Sequence, residues 1–137
     1  MKIRLVLFLL LLSNLAFSQE EEPMHHIKSV YFGGGNYYID GRQKQEIQEF
    51  LEGIPGLEGY DISVHSHTDN IGSKEYNAWL SEMRSEAAIQ EIMKLNIDRE
   101  AIAIEDFGEL NPVYDNSTLE GRLRNRRVDI ILKKIVM

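Results

Sequence analysis

The chain switches repeatedly between two spacings of apolar residues. Apolar residues at every second position are typical of a strand with one buried face, and they predict four strands, over residues 27–32, 60–67, 101–105 and 128–133. Apolar residues three and four positions apart predict the helices that separate these strands. The alternation predicts an α/β (α+β) domain, with a mixed sheet of βαβαβ type, helices packed on it and some strands in parallel.

Polar residues predict where the helices begin. Asp40, with Gln43 three positions later, forms a capping-box pattern at the start of the first helix. Ser73 is the predicted cap of a long helix that runs to about Asn96, and Thr118 is the predicted cap of a short one. The three caps therefore set the order of helices between the four strands.

The long helix carries an arginine where an apolar residue is expected. Leu80, Arg84, Ala88 and Ile92 follow one another at intervals of four and form one row along the helix. A guanidinium against an apolar layer needs a partner. Periodicity alone favours an Arg84 that reaches from the edge of the stripe into solvent. The alternative is a buried partner, and Asp69, in the loop after the second predicted strand, is the natural candidate.

Asp69 and Arg84 on one cleft are compatible with two kinds of chemistry. In contact, they form a structural ion pair. Held apart, they suit a zwitterionic ligand, because a guanidinium binds a carboxylate and a carboxylate accepts from an ammonium group. The sequence pattern alone leaves both interpretations open.

The first eighteen residues predict an export signal. Lys2 and Arg4 precede an uninterrupted apolar run over residues 5–12, and small residues follow at positions 16 and 18. This order is typical of a signal peptide over residues 1–18, cleaved before Gln19. The apolar run is much shorter than the roughly 20 residues that cross a bilayer. We therefore expect cleavage rather than a retained anchor helix, and no integral membrane segment afterwards.

Charge and composition narrow the class of partner. Residues 19–25 form a short acidic tail, and residues 26–137 are expected to form one domain. The net charge is −7, and it becomes −9 when Lys2 and Arg4 leave with the signal, which disfavours a nucleic-acid partner. The chain has no cysteine, so thiolate metal sites and cysteine nucleophiles are excluded.

Two enzymatic interpretations have little support. His65, His67 and Asp69 alternate along a strand and its loop as metal ligands do, but the only other histidines, His25 and His26, lie near the chain start. We therefore expect His65 to be an exposed strand residue and His67 a hydrogen-bonding structural one. A Gly-x-Ser-x-Gly elbow for a serine nucleophile is absent from the sequence. No metal, no cofactor and no catalysis are predicted.

Three aromatic residues, Tyr37, Tyr38 and Trp79, allow two interpretations. They are candidates for stacking against a sugar ring. Packing or partial exposure within the fold is the commoner use of such residues. The pattern gives no reason to place them at a site.

Two groups of short motifs follow one another along the chain. The first group is His67-Thr68-Asp69, Gly72, Asn77, Leu80-Ser81 and Arg84. The second is Phe107-Gly108-Glu109, Pro112, Asn116, Thr118, Gly121-Arg122 and Asn125-Arg126-Arg127-Val128. In this order the two groups resemble the OmpA-like peptidoglycan-binding domain, and the resemblance covers about residues 26–134, nearly the whole predicted domain.

The resemblance implies non-covalent binding of peptidoglycan through the diaminopimelate of its stem peptide. By position in the motifs, Asp69 would receive the ligand ammonium group and Arg84 its carboxylate. The other residues placed at the binding site are Thr68, Asn77, Leu80, Phe32 and Gly33. Arg122 and Arg126 match the later motif, where we expect structural pairing with acidic neighbours ahead of ligand contact.

The sequence departs from the family pattern at two positions. Ser66 stands where a glycine usually precedes the His-Thr-Asp motif, and Gly33 stands where an aspartate usually follows the first strand. These departures support an alternative, a protein-interaction module that keeps the fold and has lost peptidoglycan binding.

The resemblance also implies a subcellular location. It indicates an exported, non-enzymatic protein of a double-membraned bacterium, located in the periplasm or associated with the outer membrane. Peptidoglycan is the expected partner, and an outer-membrane or other envelope protein is a further candidate.

Overall fold

The computed structural model describes residues 24–137, in which four strands and three helices alternate. They are β1 (His25–Tyr31), α1 (Gly41–Glu52), β2 (Tyr60–His67), α2 (Lys74–Met93), β3 (Ile102–Gly108), α3 (Leu119–Asn125) and β4 (Arg127–Lys134). The predicted α/β class with a mixed sheet is confirmed. The predicted signal peptide over residues 1–18 lies outside the described residues, as does the acidic tail up to residue 23.

The four strands form one sheet in the order β1-β4-β2-β3. The last strand, β4, is antiparallel to both of its neighbours, while β2 and β3 are parallel. A parallel pair needs a crossover connection, and α2 supplies it. Val30 of β1 and Ser66 of β2 both lie opposite Val128 of β4, so these three residues share one face of the sheet.

The apolar core lies between one face of the sheet and the helices α1 and α2. Alternate residues of β4 are fully buried, as a strand with one covered face requires: Val128, Ile130 and Leu132. Val30, Ile62 and Val64 continue the same layer, and the helices contribute Ile47, Leu51, Ile89 and Ile92. In the part of the chain described here, no helix is both long enough and apolar enough to cross a membrane.

The helix caps agree with the sequence, and the ends of some elements do not. The Asp40 side chain accepts a hydrogen bond from the Gln43 backbone N at 2.8 Å, and the Gln43 side chain accepts from the Asp40 backbone N at 3.1 Å. The Ser73 hydroxyl accepts from the Tyr76 backbone N at 3.1 Å. However, α2 ends at Met93 rather than Asn96, and β3 continues to Gly108.

Candidate functional site

Where β2 ends and α2 begins, the buried side chains change from apolar to polar. Seven of them are no more than 7% exposed: Ser66, His67, Thr68, Asp69, Asn77, Ser81 and Arg84. Beside them lies a cavity of about 210 Å³. It is lined by Gly34, Gly35, Thr68, Asp69, Ile71, Gly72, Tyr76, Asn77, Leu80, Arg84 and Arg126.

Arg84 is buried to 1% exposure, so the expectation that it reaches into solvent is wrong. Its guanidinium donates three hydrogen bonds to backbone carbonyls: Nε to Asn36 O at 2.9 Å, Nη1 to His67 O at 3.0 Å and Nη2 to Gly33 O at 3.2 Å. The guanidinium carbon also lies 4.9 Å from the centroid of the Phe32 ring. These carbonyls and the ring replace the water that the charge gives up on burial.

The positive charge of Arg84 has no anionic partner within the fold described. Among residues 24–137, no carboxylate lies within ion-pairing distance of its guanidinium, although Asp69 lines the same cavity. Burial lowers the pKa of Arg84 to about 10, and the nearby charge of Asp69 opposes this. Arg84 therefore remains protonated at neutral pH and can bind an anion in the cavity.

Asp69 is held apart from Arg84 and pairs with a different arginine. Its Oδ2 accepts from Arg126 Nε at 2.6 Å, and its Oδ1 accepts from the Ile71 backbone N at 3.0 Å. The acidic partner expected for Arg126 is thus confirmed. The same expectation for Arg122 is wrong, since its Nη1 donates to the Asn116 carbonyl at 3.0 Å. Of the two interpretations, the structure favours separate charges on one cleft over an Asp69–Arg84 ion pair.

The other predicted site residues fall into two groups. Thr68, Asn77 and Leu80 line the cavity together with Asp69 and Arg84. The Nδ2 atom of Asn77 donates to Glu109 Oε2 at 2.8 Å, while its Oδ1 is buried and has no hydrogen-bond partner among the described residues. The second group is Phe32 and Gly33, which lie outside the cavity lining and contact Arg84 instead.

Sequence reasoning assigned no site role to several residues of the lining, among them Tyr76, Gly35 and Gly72, although Gly72 belongs to the first motif group. Tyr76 lies four positions before Leu80, so extending the Leu80–Arg84 row by one turn finds it. Gly35 and Gly72 adopt positive φ angles of 65° and 98°, which other residues rarely adopt. A Cβ atom on Gly35 would lie 3.2 Å from the Tyr76 hydroxyl, so glycine lets this loop close over the cavity.

Ser66, one of the two departures from the family pattern, lies outside the cavity lining. It is fully buried on the helix-covered face of the sheet, opposite Val128. Its hydroxyl has no hydrogen-bond partner within the described residues. The side chain is thus buried in the sheet face and is not among the residues that line the cavity.

The histidines of the His-x-His-x-Asp pattern pack around one aromatic ring. The His67 ring stacks on Phe107 with centroids 5.0 Å apart, and the His65 ring meets the same phenyl edge-on at 5.6 Å. Burial, together with the charge of Arg127, lowers the pKa of His67 to about 4. His67 therefore stacks as a neutral ring, rather than in the hydrogen-bonding role expected. Within residues 24–137, no three His, Cys, Asp or Glu side chains are grouped as metal ligands would be.

Comparison with known proteins places these features in a family. Residues 31–126 match the model of the OmpA family. The chain is 30% identical over 117 residues to outer membrane protein A of Bordetella avium, a match that covers 81% of this chain and 60% of that protein. It is 34% identical over 71 residues to the peptidoglycan-binding protein ArfA of Mycobacterium tuberculosis, covering 52% of this chain and 22% of ArfA.

The fold is similar to that of a solved relative. The crystal structure of the peptidoglycan-associated lipoprotein from Burkholderia pseudomallei superposes with a TM-score of 0.69 at 24% identity, over 77% of this chain and 90% of that one. The chain spans about three fifths of the length of the Bordetella relative and less of ArfA. The family match over most of the folded residues shows that this chain belongs to the OmpA family.

Proposed function

We propose that this protein binds peptidoglycan non-covalently in the cell envelope, through the diaminopimelate of the stem peptide. One observation carries the proposal: the cavity holds a buried guanidinium, with no anionic partner among residues 24–137, beside a separate carboxylate. The peptidoglycan-binding relative ArfA supports the polymer as ligand. We further infer export to the periplasm or the inner side of the outer membrane, with binding and no catalysis as the activity.

The free end of diaminopimelate carries an ammonium group and a carboxylate on one carbon atom. Three of the five N–H donors of the Arg84 guanidinium are used by backbone carbonyls, which leaves donors for the ligand carboxylate. Asp69 lines the same cavity and supplies the negative charge for the ammonium group. A ligand with only one of the two charges would leave one side of the cavity unsatisfied.

Asn77 adds a third polar contact. Its Oδ1 atom has no partner in the described fold, while the Glu109 carboxylate fixes the orientation of the amide by accepting from Nδ2. A buried oxygen without a hydrogen bond is unfavourable by about 1–3 kcal/mol. An ammonium group bound at Asp69 would satisfy this oxygen, so the free protein is prepared to accept a donor at that point.

Arg126 limits the affinity for the ammonium group. In the free protein it occupies one oxygen of Asp69 at 2.6 Å, so the ligand must share that carboxylate or displace the guanidinium. An ionised carboxylate has about four lone-pair positions and can accept several donors at once. Sharing is therefore feasible, and Arg126 holds Asp69 in a fixed orientation while the ligand binds.

The alternative is a protein-interaction module that has lost wall binding. The support for this alternative was the presence of Ser66 and Gly33 at positions where the family usually has other residues. However, Ser66 lies outside the cavity lining, and the Gly33 carbonyl accepts a hydrogen bond from Arg84. Asp69 and Arg84, the two charges that a zwitterionic ligand requires, both line the cavity, although Gly33 lacks the carboxylate usual in the family. The wall-binding function is therefore the better supported of the two.

Co-sedimentation with purified sacculi that contain diaminopimelate tests the proposal. We expect the wild type to pellet with sacculi and the double variant Asp69→Asn, Arg84→Met, which lacks both charges, to stay in the supernatant. Removing one partner of a desolvated charge pair lowers the binding free energy by about 2–5 kcal/mol. The matched control is Asp61→Asn, an exposed aspartate at the opposite end of β2, which should pellet like the wild type.

Circular dichroism establishes that each variant is folded before sedimentation. Equal pelleting of the wild type and the double variant would rule out this site. A folded wild type that does not pellet would instead favour the interaction module.

A further inference from the structure

We propose that an exposed group of three aromatic side chains beside the cavity stacks against the sugar to which the stem peptide is attached. The group, called here the aromatic cluster, consists of Tyr37, Tyr76 and Trp79. This inference rests on the proposed function and extends it from the peptide to the glycan strand of the same polymer.

The three rings form a continuous row that begins at the cavity. Tyr76 lines the cavity itself. The Trp79 ring lies 5.8 Å from the Tyr76 ring and 5.7 Å from the Tyr37 ring, measured between centroids. All three side chains remain 42–45% exposed. They therefore pack on one another and still present ring surface to solvent.

Secondary structure and Arg84 together hold the aromatic cluster in place. Tyr76 and Trp79 are three residues apart on the exposed side of α2, so their rings are neighbours on that helix. Tyr37 follows Asn36, whose carbonyl accepts the Nε hydrogen bond of Arg84 at 2.9 Å. The side chain proposed to bind the ligand carboxylate thus also fixes the loop that carries Tyr37.

The neighbouring residue Tyr38 shows that this arrangement is specific to the three rings. Tyr38 is more exposed, at 63%, and its ring lies 5.6 Å from the Lys44 ammonium nitrogen. It forms no ring contact with Trp79 among those the structure describes. Adjacent tyrosines therefore have different surroundings, and only one belongs to the aromatic cluster.

A sugar ring is the partner that this surface fits. The C–H face of a pyranose is weakly positive and packs on the negative face of an aromatic ring, while its hydroxyl groups stay in water. Tyr and Trp combine an apolar ring with a hydrogen-bond donor at its edge, which suits a contact that is packed on one side and exposed to water on the other.

The length of the stem peptide also fits. Diaminopimelate is the third residue from the sugar. The two intervening residues span about 7 Å when extended, and the carbon chain of diaminopimelate adds several ångströms between the peptide and the free end held in the cavity. The rings of the aromatic cluster are separated by distances of 5.7 and 5.8 Å, and the first of them is at the cavity. A stem peptide held at Asp69 and Arg84 therefore places its sugar within reach of Trp79.

Two defined ligands test the proposal: a tripeptide ending in diaminopimelate, and the same tripeptide attached to its disaccharide. Affinities are measured by calorimetry. We expect the wild type to bind the disaccharide–tripeptide at least tenfold more tightly than the tripeptide. Trp79 is the single tryptophan of the chain, so its emission reports the contact directly. The emission should shift to shorter wavelength with the disaccharide–tripeptide and change little with the tripeptide.

Variants separate the sugar contact from the peptide contact. Trp79→Ala should bind both ligands with the affinity that the wild type has for the tripeptide. Tyr38→Ala is the matched control and should keep the wild-type preference. If Trp79→Ala does not fold, Tyr37→Ala on the loop tests the same contact, with a smaller loss of preference.

The outcomes distinguish this proposal from the one on which it rests. A wild type that binds both ligands equally would overturn the sugar contact and leave the peptide site intact. A wild type that binds neither would overturn both proposals. If a folded Trp79→Ala variant keeps the wild-type preference, the sugar contact is contradicted and the aromatic cluster is better explained as a surface for a protein partner.

Discussion

The core of this domain has two ends that are equally buried and chemically opposite. At the apolar end, Val64 of β2 and Ile92 of α2 are fully buried among other aliphatic side chains. At the polar end of the same strand and helix, Ser66 and Arg84 are buried to 0% and 1% exposure. One strand and one helix thus pass from one kind of interior to the other within a few residues.

The difference shows how each end obtains its stability. The hydrophobic effect does not depend on the direction of a contact. The apolar end is therefore stabilised by the volume that its side chains fill, and it tolerates substitutions that conserve this volume. The polar end depends on individual hydrogen bonds, because each buried donor or acceptor without a partner is unfavourable. The three carbonyls around Arg84 illustrate this, since they come from the loop after β1 and the end of β2.

The largest expected effect is at the apolar end. Ile92→Ala removes a fully buried side chain, so the free energy of unfolding should fall by about 2–5 kcal/mol. Urea unfolding followed by circular dichroism measures it. The matched control is Gln90→Ala on the exposed side of α2, which should stay within about 0.5 kcal/mol of the wild type. A loss no larger than that of the control would contradict the view that volume governs this end.

An intermediate effect is expected from pH at the polar end. His67 has a pKa of about 4 in the folded protein against an ordinary value of 6.5, so the unfolded chain binds more protons between these values. The stabilisation is complete above pH 6.5 and is lost as the pH falls towards 4, by about 2 kcal/mol.

Unfolding free energies of the wild type and His67→Gln at pH 7 and pH 4.5 test this expectation. The variant lacks the titrating ring that lies against Phe107 and near Arg127 and Asp129, so it should lose less stability over this interval. Gln90→Ala on the exposed side of α2 is the control and should keep the wild-type decrease. The same decrease in the wild type and His67→Gln would show that other groups cause it.

The smallest expected effect has the opposite sign. The Ser66 hydroxyl is buried without a hydrogen-bond partner in the described fold, so Ser66→Ala removes an unsatisfied group. We expect the free energy of unfolding to rise by about 1 kcal/mol, measured by urea unfolding. Ser81→Ala provides the contrast, because the Ser81 hydroxyl accepts from the Gly108 backbone N at 3.1 Å and its loss should destabilise the fold. Destabilisation by Ser66→Ala would mean that the hydroxyl has an unrecognised partner.

Local features of the fold were predictable because their causes lie within a few residues. The Asp40–Gln43 capping box spans one helical turn, and the alternation along β4 needs only the strand itself. The order of elements and the mixed sheet followed from these patterns. At the candidate site, motif spacing identified Thr68, Asp69 and Arg84, which line one cavity.

The missed features depend on contacts between distant parts of the chain. The pattern of α2 alone cannot show that carbonyls of Gly33 and Asn36 surround Arg84, and it therefore favoured a solvent-exposed arginine. Asp69 pairs with Arg126, 57 residues away, although Arg84 is nearer in sequence. Such pairings are decided by how the loops meet at one end of the sheet, which periodicity does not encode.

The position of β4 in the sheet has a consequence for how the domain folds. Its neighbours are β1 and β2, and β1 pairs with no other strand of the described sheet. The hydrogen bond from Ser29 to Asp129, for example, joins residues 100 positions apart. Contacts over such separations form slowly. The first strand of the described sheet therefore has no partner until β4 has been synthesised, so the sheet is completed only when its last strand is in place.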